Sequence, residues 1–221
     1  MTSLSTAALG FAAHGAAVYA KMALEIPDRL GNPQATRYLG ILTWLTVQTN
    51  IICWARFALV LAAHLCGSTS LVSLTVQLFP LSFGLAFMLT LLYYGLDYFN
   101  EENVRKRKQF SLQIAPHCEL AAHLSHATAL PVALLDACTL VAHSHPQPAV
   151  FQLVGGYILL YMVLTLANHA ATKVWQYPII ADAQRAAGWA GVLAFFALIM
   201  SLMVAAAHLG VAVVASLDGW K

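Results

Sequence analysis

Six long apolar stretches dominate the chain, and short segments with polar or charged residues separate them. A helix needs roughly 20 apolar residues to cross the hydrocarbon core of a bilayer, and each stretch is about that long or longer. The pattern predicts transmembrane helices at residues 5–24, 38–65, 71–98, 116–143, 149–172 and 188–216. The predicted fold class is therefore all-α: a polytopic integral membrane protein, built as a bundle of about six transmembrane helices.

The composition agrees with this pattern. Of the 221 residues, 60% are apolar and 9% are charged, whereas a soluble domain has about 25% charged residues. No repeat or low-complexity linker divides the chain, so we expect a single transmembrane domain over residues 1–221. The first stretch is expected to remain as a helix and not to be a signal peptide, because residues 1–6 carry no Lys or Arg.

The basic residues predict the topology. The segments 25–37, 99–115 and 173–187, with the helix ends that adjoin them, carry nine Lys or Arg residues, whereas the opposite side has only Lys221. The positive-inside rule places these three segments in the cytosol and both termini on the other side of the membrane. The net charge of +2 argues against a nucleic-acid partner. The expected partners are membrane lipids.

Polar residues inside two of the predicted spans are candidates for a functional site. In the second span, Thr43, Thr46 and Asn50 share one helical face, although such residues often serve only to hydrogen-bond neighbouring helices. In the fourth span, Glu119, His123 and His126 follow an i, i+4, i+7 pattern, which aligns an acid with two imidazoles. Ionisable groups are costly in lipid and usually face a bundle interior or a wet cavity. We therefore interpret the fourth-span stripe as part of a functional site.

Further candidates are weaker. His169 lies a turn before Trp175 and Tyr177, in a segment typical of a helix end with aromatic anchors at the membrane interface. His14 in the first span is a weaker candidate because it stands alone.

These residue types permit two kinds of chemistry. A threonine hydroxyl attacks an ester only when a base takes its proton, and histidine is the natural base, so Thr43 and His126 form a candidate pair if they lie at similar depths. Alternatively, four side chains are plausible ligands for zinc or iron, and two histidines could hold a haem: the candidates are Glu119, His123, His126 and His169. The histidine clusters of membrane desaturases and the paired histidines of haem bundles are absent from the sequence, so we expect no cofactor.

Four short motifs carry a family resemblance. They are Leu42-Thr43-Trp44, His123-Leu124-Ser125-His126 followed by Leu130-Pro131, Gly156-Tyr157-Ile158-Leu159, and Trp175-Gln176-Tyr177-Pro178. Their order over roughly residues 38–180 resembles the androgen-induced-gene, or FAR-17a-like, family of membrane threonine hydrolases and related bacterial polytopic proteins. That family cleaves fatty acid esters of hydroxy fatty acids. The resemblance implies that Thr43 is the nucleophile and His126 the base.

The sequence thus favours an intramembrane lipid-ester hydrolase whose substrate enters from the bilayer. Supporting roles in substrate binding are expected for Thr46, Asn50, Glu119, His123, His169, Trp175 and Tyr177. Two alternatives stay open at this point: a transporter or receptor whose polar stripe lines an internal path, and a metal or haem protein.

Overall fold

The computed structural model describes residues 1–22, 40–113, 116–140 and 147–218, and helices without any β-strand make up this part of the chain. The helices are α1 (Leu4–Ala20), α2 (Leu45–Cys66), α3 (Thr69–Gln77), α4 (Phe79–Leu92), α5 (Glu101–Gln113), α6 (Cys118–His126), α7 (Ala129–Thr139), α8 (Gln147–Thr172) and α9 (Pro178–Asp218). A 3₁₀ turn at Gly40–Thr43 precedes α2, and a π-helical segment at Tyr93–Tyr98 continues α4. The prediction of an all-α protein is confirmed.

In the part of the chain that the structure describes, five apolar helical stretches are long enough to cross a membrane. They are Leu45–Cys66, Thr69–Tyr98, Cys118–Thr139, Ala149–Thr172 and Pro178–Leu217. Helix α1 is also apolar and is shorter, with 17 residues. These six elements correspond in order to the six predicted spans, and the polytopic bundle is therefore confirmed.

Local signals in the sequence explain where several helices end. Gly67 follows α2 with φ 64°, a left-handed conformation that glycine adopts without steric cost. The Ser68 side chain then accepts a hydrogen bond from the Leu71 amide and caps α3. This tight turn makes the α2 and α3 segments antiparallel neighbours. Pro80 lies in the first turn of α4, where the missing amide hydrogen costs nothing.

The apolar core has two main parts on either side of α4. Leu85 and Met88 of α4 pack with Val154 of α8 and Met203 of α9 in one cluster. On its other side, α4 packs against α7 and the end of α9. Small residues let the helices approach closely: a Cβ atom added to Gly84 would lie 3.0 Å from the carbonyl oxygen of Met203.

Polar contacts mark the two ends of the bundle. At one end, the Thr2 hydroxyl donates to Asp136 at 2.6 Å, and His64 Nε2 donates to the Thr2 carbonyl at 2.9 Å. At the other end, the Leu45 amide donates to the Tyr177 hydroxyl at 3.1 Å. This second end is also the one that the charge pattern places toward the cytosol, and it carries the candidate site.

The second predicted span begins too early. Helix α2 starts at Leu45, not at residue 38, because Trp44 has an extended backbone with φ −87° and ψ 128°. Thr43 therefore lies on the 3₁₀ turn before the helix, and the predicted stripe of Thr43, Thr46 and Asn50 on one helix is wrong for its first member. Residues 38 and 39 lie outside the described residues.

Other predicted boundaries also change. The segment 99–115, predicted as a loop, contains α5, a polar helix without buried residues that a search for apolar stretches passes over. Helix α9 begins ten residues before the predicted start at 188, and its helical geometry breaks at Ala187 and Gly188, close to that predicted start. Residues 141–143 of the fourth predicted span lie outside the described part of the chain.

Candidate functional site

His126, the last residue of α6, is held in one tautomer by its own helix. Its Nδ1 atom lies 2.6 Å from the carbonyl oxygen of Ala122, four residues earlier. A carbonyl only accepts hydrogen bonds, so Nδ1 carries the proton, and Nε2 of the neutral ring has a free lone pair. The Ser125 hydroxyl lies 3.1 Å from the same Nδ1. The basic nitrogen of the ring therefore points away from α6.

The Thr46 hydroxyl faces this basic nitrogen. Its Oγ1 atom lies 3.1 Å from His126 Nε2, and since Nε2 has no proton in this tautomer, the hydroxyl is the donor. Both side chains are buried, with 4% and 8% of their residue surfaces exposed. A hydroxyl that donates to an imidazole, whose other nitrogen is fixed by a third group, is the arrangement of an activated nucleophile.

An aromatic ring from the π-helical segment fixes the plane of the imidazole. The ring of Tyr93 stacks on His126 with centroids 3.9 Å apart and planes inclined by 13°. The Thr90 hydroxyl donates to the His126 carbonyl at 2.7 Å. π-Helical turns are rare and frequently occur at functional sites. Here the turn begins at the residue that covers the candidate base.

Next to the Thr46 and His126 pair, Asn50 connects α1, α2 and α6 by hydrogen bonds. Its Nδ2 donates to the carbonyls of Thr46 at 2.9 Å and Ser125 at 3.0 Å, which orients the amide and turns Oδ1 toward His14 Nδ1 at 2.9 Å. Because the amide oxygen only accepts, His14 donates through Nδ1. The expectation that His14 stands alone is wrong, since the fold brings α1 against α2 and α6 at this point.

The first turn of α2 offers backbone donors beside the Thr46 hydroxyl. The helix has no side-chain cap at Trp44, and the first intrahelical bond runs from the Gln48 amide to the Trp44 carbonyl. The Leu45 amide donates to Tyr177. Within the described part of the chain, no hydrogen bond uses the amides of Thr46 and Val47, as is usual at a helix start. These two amides are therefore backbone donors at the helix start that carries Thr46.

Thr43 is fully buried, but its hydroxyl has a different partner. Its Oγ1 donates to the Gly40 carbonyl at 2.9 Å, and the described hydrogen bonds of His126 do not include Thr43. The Thr43 carbonyl accepts from Gln176 Nε2 at 2.8 Å and from the Tyr161 hydroxyl at 3.3 Å. Thr43 and Thr46 lie at the same end of the bundle. Of the two, only Thr46 forms a described hydrogen bond with the imidazole.

Glu119 and His123 belong to a neighbouring cavity and not to the Thr46 and His126 pair. Glu119 is exposed, whereas His123 is half-buried, with its Nδ1 at 3.2 Å from the Tyr94 hydroxyl. Both line a cavity of about 330 Å³, to which Tyr93 also contributes. The predicted stripe on the fourth span thus exists on α6, but its members have separate surroundings.

His169, Trp175 and Tyr177 divide in a similar way. The His169 ring stacks on Trp175 with centroids 3.8 Å apart, and Trp189 packs edge-on against both rings. This aromatic cluster lies where α8 passes into α9. Tyr177 instead reaches α2 and contacts Trp44 at 5.8 Å between ring centroids.

The sequence patterns missed three contributors to the site: the Ala122 carbonyl, Tyr93 and Gln176. The first follows from helix geometry, since a side chain at i lies over the backbone of i−4. The adjacent hydroxyl-bearing rings of Tyr93 and Tyr94 in a mostly apolar span were the available signal for the second. Gln176 reaches Thr43 across 133 positions in sequence, which no local pattern reveals.

The described residues were also compared with the requirements of a metal-binding site. Over residues 1–22, 40–113, 116–140 and 147–218, no group of three or more His, Cys, Asp or Glu side chains is placed to hold a metal ion. Within the described residues, Cys53, Cys66, Cys118 and Cys138 form no disulfide.

A family comparison agrees with this architecture. The model of the FAR-17a/AIG1-like protein family matches residues 7–214. The chain belongs to this family. The resemblance that the short motifs carry is thereby confirmed, and the family match includes every candidate site residue. Comparisons with curated proteins and with solved structures gave no match.

Proposed function

We propose that this FAR-17a/AIG1-like protein is an intramembrane hydrolase of lipid esters, in which His126 is the general base and a threonine at the start of α2 is the nucleophile. The observation that carries the proposal is the hydrogen bond from a buried threonine hydroxyl to His126 Nε2, with Nδ1 held by the Ala122 carbonyl. Family membership is compatible with this activity.

The reaction follows from that geometry. His126 Nε2 takes the hydroxyl proton while the threonine oxygen attacks the ester carbonyl and forms a tetrahedral intermediate. We assign the stabilisation of its oxyanion to the amides of Thr46 and Val47, which no described hydrogen bond uses. The C–O bond to the alcohol then breaks, and the alcohol leaves with the proton from Nε2. Water, deprotonated by the same nitrogen, hydrolyses the acyl-threonine and releases the carboxylic acid.

Two threonines compete for the nucleophile's role. The resemblance implies Thr43, whereas the hydrogen bond favours Thr46. Thr43 would have to turn its hydroxyl away from Gly40 before it could reach the base. The structural arrangement therefore makes Thr46 the first choice, and Thr43 remains the alternative within the same mechanism.

The surroundings of the pair suit a lipid substrate. The helices that hold Thr46 and His126 are apolar and span-like, so an ester would reach them from the bilayer. Fatty acid esters of hydroxy fatty acids are the substrates that the resemblance implies, and they are the first to assay.

Four single variants test the proposal with purified protein in detergent. His126→Ala should lower kcat by a factor on the order of 10² to 10⁴, the range expected for loss of a general base. If Thr46 is the nucleophile, Thr46→Val should abolish hydrolysis, Thr46→Ser should retain most of it, and Thr43→Val should keep it. If Thr43 is the nucleophile, the two valine variants should exchange these results.

A matched control comes from the same helix. Thr49 is fully buried and its hydroxyl has no hydrogen-bond partner among the described residues, so Thr49→Val removes a hydroxyl without touching the pair. This variant should hydrolyse esters like the unmodified protein. Full activity in both Thr43→Val and Thr46→Val, or in His126→Ala, would refute the mechanism.

Covalent labelling gives an independent test. A fluorophosphonate probe should attach to the nucleophilic threonine, and peptide mass spectrometry identifies the residue. Absence of labelling, together with lipid flux in proteoliposomes, would instead support a transporter.

A further inference from the structure

A cavity of about 330 Å³ lies where the π-helical segment, α5 and α6 meet. Its walls include the aromatic rings of Tyr93 and Tyr98, the cations Arg107 and Lys108, and two residues of α6, Glu119 and His123. Ligand sites typically enclose roughly 300–1,000 Å³ and combine apolar walls with a few polar groups. The size and lining of this cavity suit a headgroup and not a whole lipid.

The cavity adjoins the candidate catalytic pair. Tyr93 lines the cavity and also stacks on His126 at 3.9 Å between ring centroids. The same side chain thus contacts both the cavity and the imidazole of His126. His123, whose ring packs edge-on against Tyr98 at 5.2 Å, extends the aromatic wall.

Arg107 has a structural role in this wall. Its guanidinium donates to the Asp97 carboxylate and to the carbonyls of Asp97 at 3.3 Å and Tyr98 at 2.9 Å. It also lies over the Tyr98 ring at 5.4 Å. These contacts attach α5 to the π-helical segment and leave Arg107 largely neutralised by Asp97.

Lys108 is the cation that this arrangement presents to the cavity. Among the described residues it makes no ion pair, in contrast to Lys106, which pairs with Glu102 at 2.6 Å on the outer side of the same helix. Glu119, the acid in the cavity wall, belongs to α6 and is not within ion-pair distance of Lys108. An ammonium group beside aromatic rings favours an anionic oxygen as its partner.

We propose that this cavity binds the anionic headgroup of a lipid amphiphile, with Lys108 as the charged partner and Tyr93 and Tyr98 as the walls. The consequence for substrate choice rests on the proposed function: the preferred ester would carry a free anionic group that lies in the cavity while the ester reaches Thr46. Carboxylate and phosphate headgroups share this chemistry, and the binding experiment separates them.

Binding can be measured without hydrolysis. The His126→Ala variant in phosphatidylcholine nanodiscs is crosslinked with a photoreactive diazirine fatty acid, and mass spectrometry maps the labelled peptides. Labelling of the cavity walls should fall about tenfold in Lys108→Gln, a factor that corresponds to about 1.4 kcal/mol. Lys106→Gln, the matched control, should label like its parent. Glu119→Gln should increase labelling, because it removes a negative charge from the same wall.

Competition identifies the headgroup. Suppression by palmitate but not by lysophosphatidate supports a carboxylate site, and stronger suppression by lysophosphatidate supports a phosphate site. Equal suppression by uncharged methyl palmitate would overturn the proposal, as would equal labelling of Lys108→Gln and Lys106→Gln.

Kinetics connect the cavity to the reaction. In Lys108→Gln, KM for an ester with a free carboxylate should rise about tenfold without a matching fall in kcat, whereas KM for its methyl ester should not rise. Hydrolysis that is independent of Lys108 would overturn the cavity's role in substrate choice and leave the hydrolase proposal intact. Lys108-dependent crosslinking without any hydrolysis would refute only the hydrolase.

Discussion

At the residue scale, the candidate base is held by a backbone carbonyl, where the well-known serine hydrolases use a carboxylate. The Ala122 oxygen fixes the proton on Nδ1 of His126, because it lies at 2.6 Å and cannot donate. Unlike a carboxylate, it would add no full negative charge beside an imidazolium formed in the proposed reaction. The tautomer is therefore set by helix geometry, and the orientation of the ring by the Tyr93 stack.

The hydrogen bonds of the Asn50 amide allow a prediction about stability. Asn50→Asp replaces two donated hydrogen bonds, to the Thr46 and Ser125 carbonyls, by repulsion between oxygens. Leaving buried polar groups without partners costs about 1–3 kcal/mol for each neutral group and more for a charged one. We expect the free energy of unfolding in detergent micelles to fall by about 2–4 kcal/mol.

The control for this change is Gln109→Glu, the same amide-to-carboxylate exchange at an exposed position of α5. Exposed substitutions of this kind usually change stability by less than about 0.5 kcal/mol. Equal stability of Asn50→Asp and the unmodified protein would show that the His14, Asn50 and Ser125 connection does not hold the site.

At the element scale, a buried ion pair joins α2 to α7. Arg56 donates to Asp136, and their side chains are only 1% and 2% exposed. Arg56 also donates to the Thr75 carbonyl at 2.9 Å, and Asp136 accepts from the Thr2 hydroxyl at 2.6 Å. The pair thereby holds α3 and the start of the chain against the bundle, at the end opposite to the candidate site.

Breaking one partner of this pair should destabilise the bundle strongly. Asp136→Leu leaves the Arg56 charge buried without its acid, which costs about 3–5 kcal/mol in the free energy of unfolding. The double variant with Arg56→Met should regain most of that loss, since a buried pair replaced by apolar side chains is often neutral or stabilising. Denaturant titration in mixed micelles measures both.

A surface pair serves as the comparison. Arg185 and Asp182 form an exposed ion pair one turn apart on α9, with 77% and 58% of their side chains exposed. Asp182→Ala should cost less than about 1 kcal/mol, because water screens the pair. If Asp136→Leu were as mild as Asp182→Ala, the buried pair would contribute little to the association of α2 with α7.

At the scale of the whole molecule, the charge pattern predicts which end of the bundle faces the cytosol. Cys66 is exposed at the end of α2 and Lys106 is exposed on α5, at opposite ends of the bundle. In a variant without the other cysteines, a membrane-impermeant maleimide should reach Cys66 only from the non-cytosolic side. In a cysteine-free background, Lys106→Cys should be reached only from the cytosolic side. Labelling of both from one side, or with the sides exchanged, would contradict the predicted topology.

The long apolar helices were predictable because span length and hydropathy are local properties. The start of α2 was not, since the extended backbone at Trp44 accompanies contacts of Leu45 with Tyr177 and of Thr43 with Gln176, more than 130 positions away. Helix α5 was missed for a different reason. It is polar, and a search for apolar stretches does not detect a helix that lies outside the bilayer.

An all-helical, multi-pass membrane protein of the FAR-17a/AIG1-like family was predictable from the amino-acid sequence alone, and so was His126 as the candidate base. These properties follow from hydropathy and from short motifs, and both depend only on residues that are close together in the sequence. The hydroxyl that faces this base could not be identified in that way, because the partner depends on how α2 and α6 pack. The same packing places Asn50 against His14 and gives Glu119 and His123 surroundings different from those of His126. Side-chain neighbours across a bundle depend on helix register and depth, which no single helix contains.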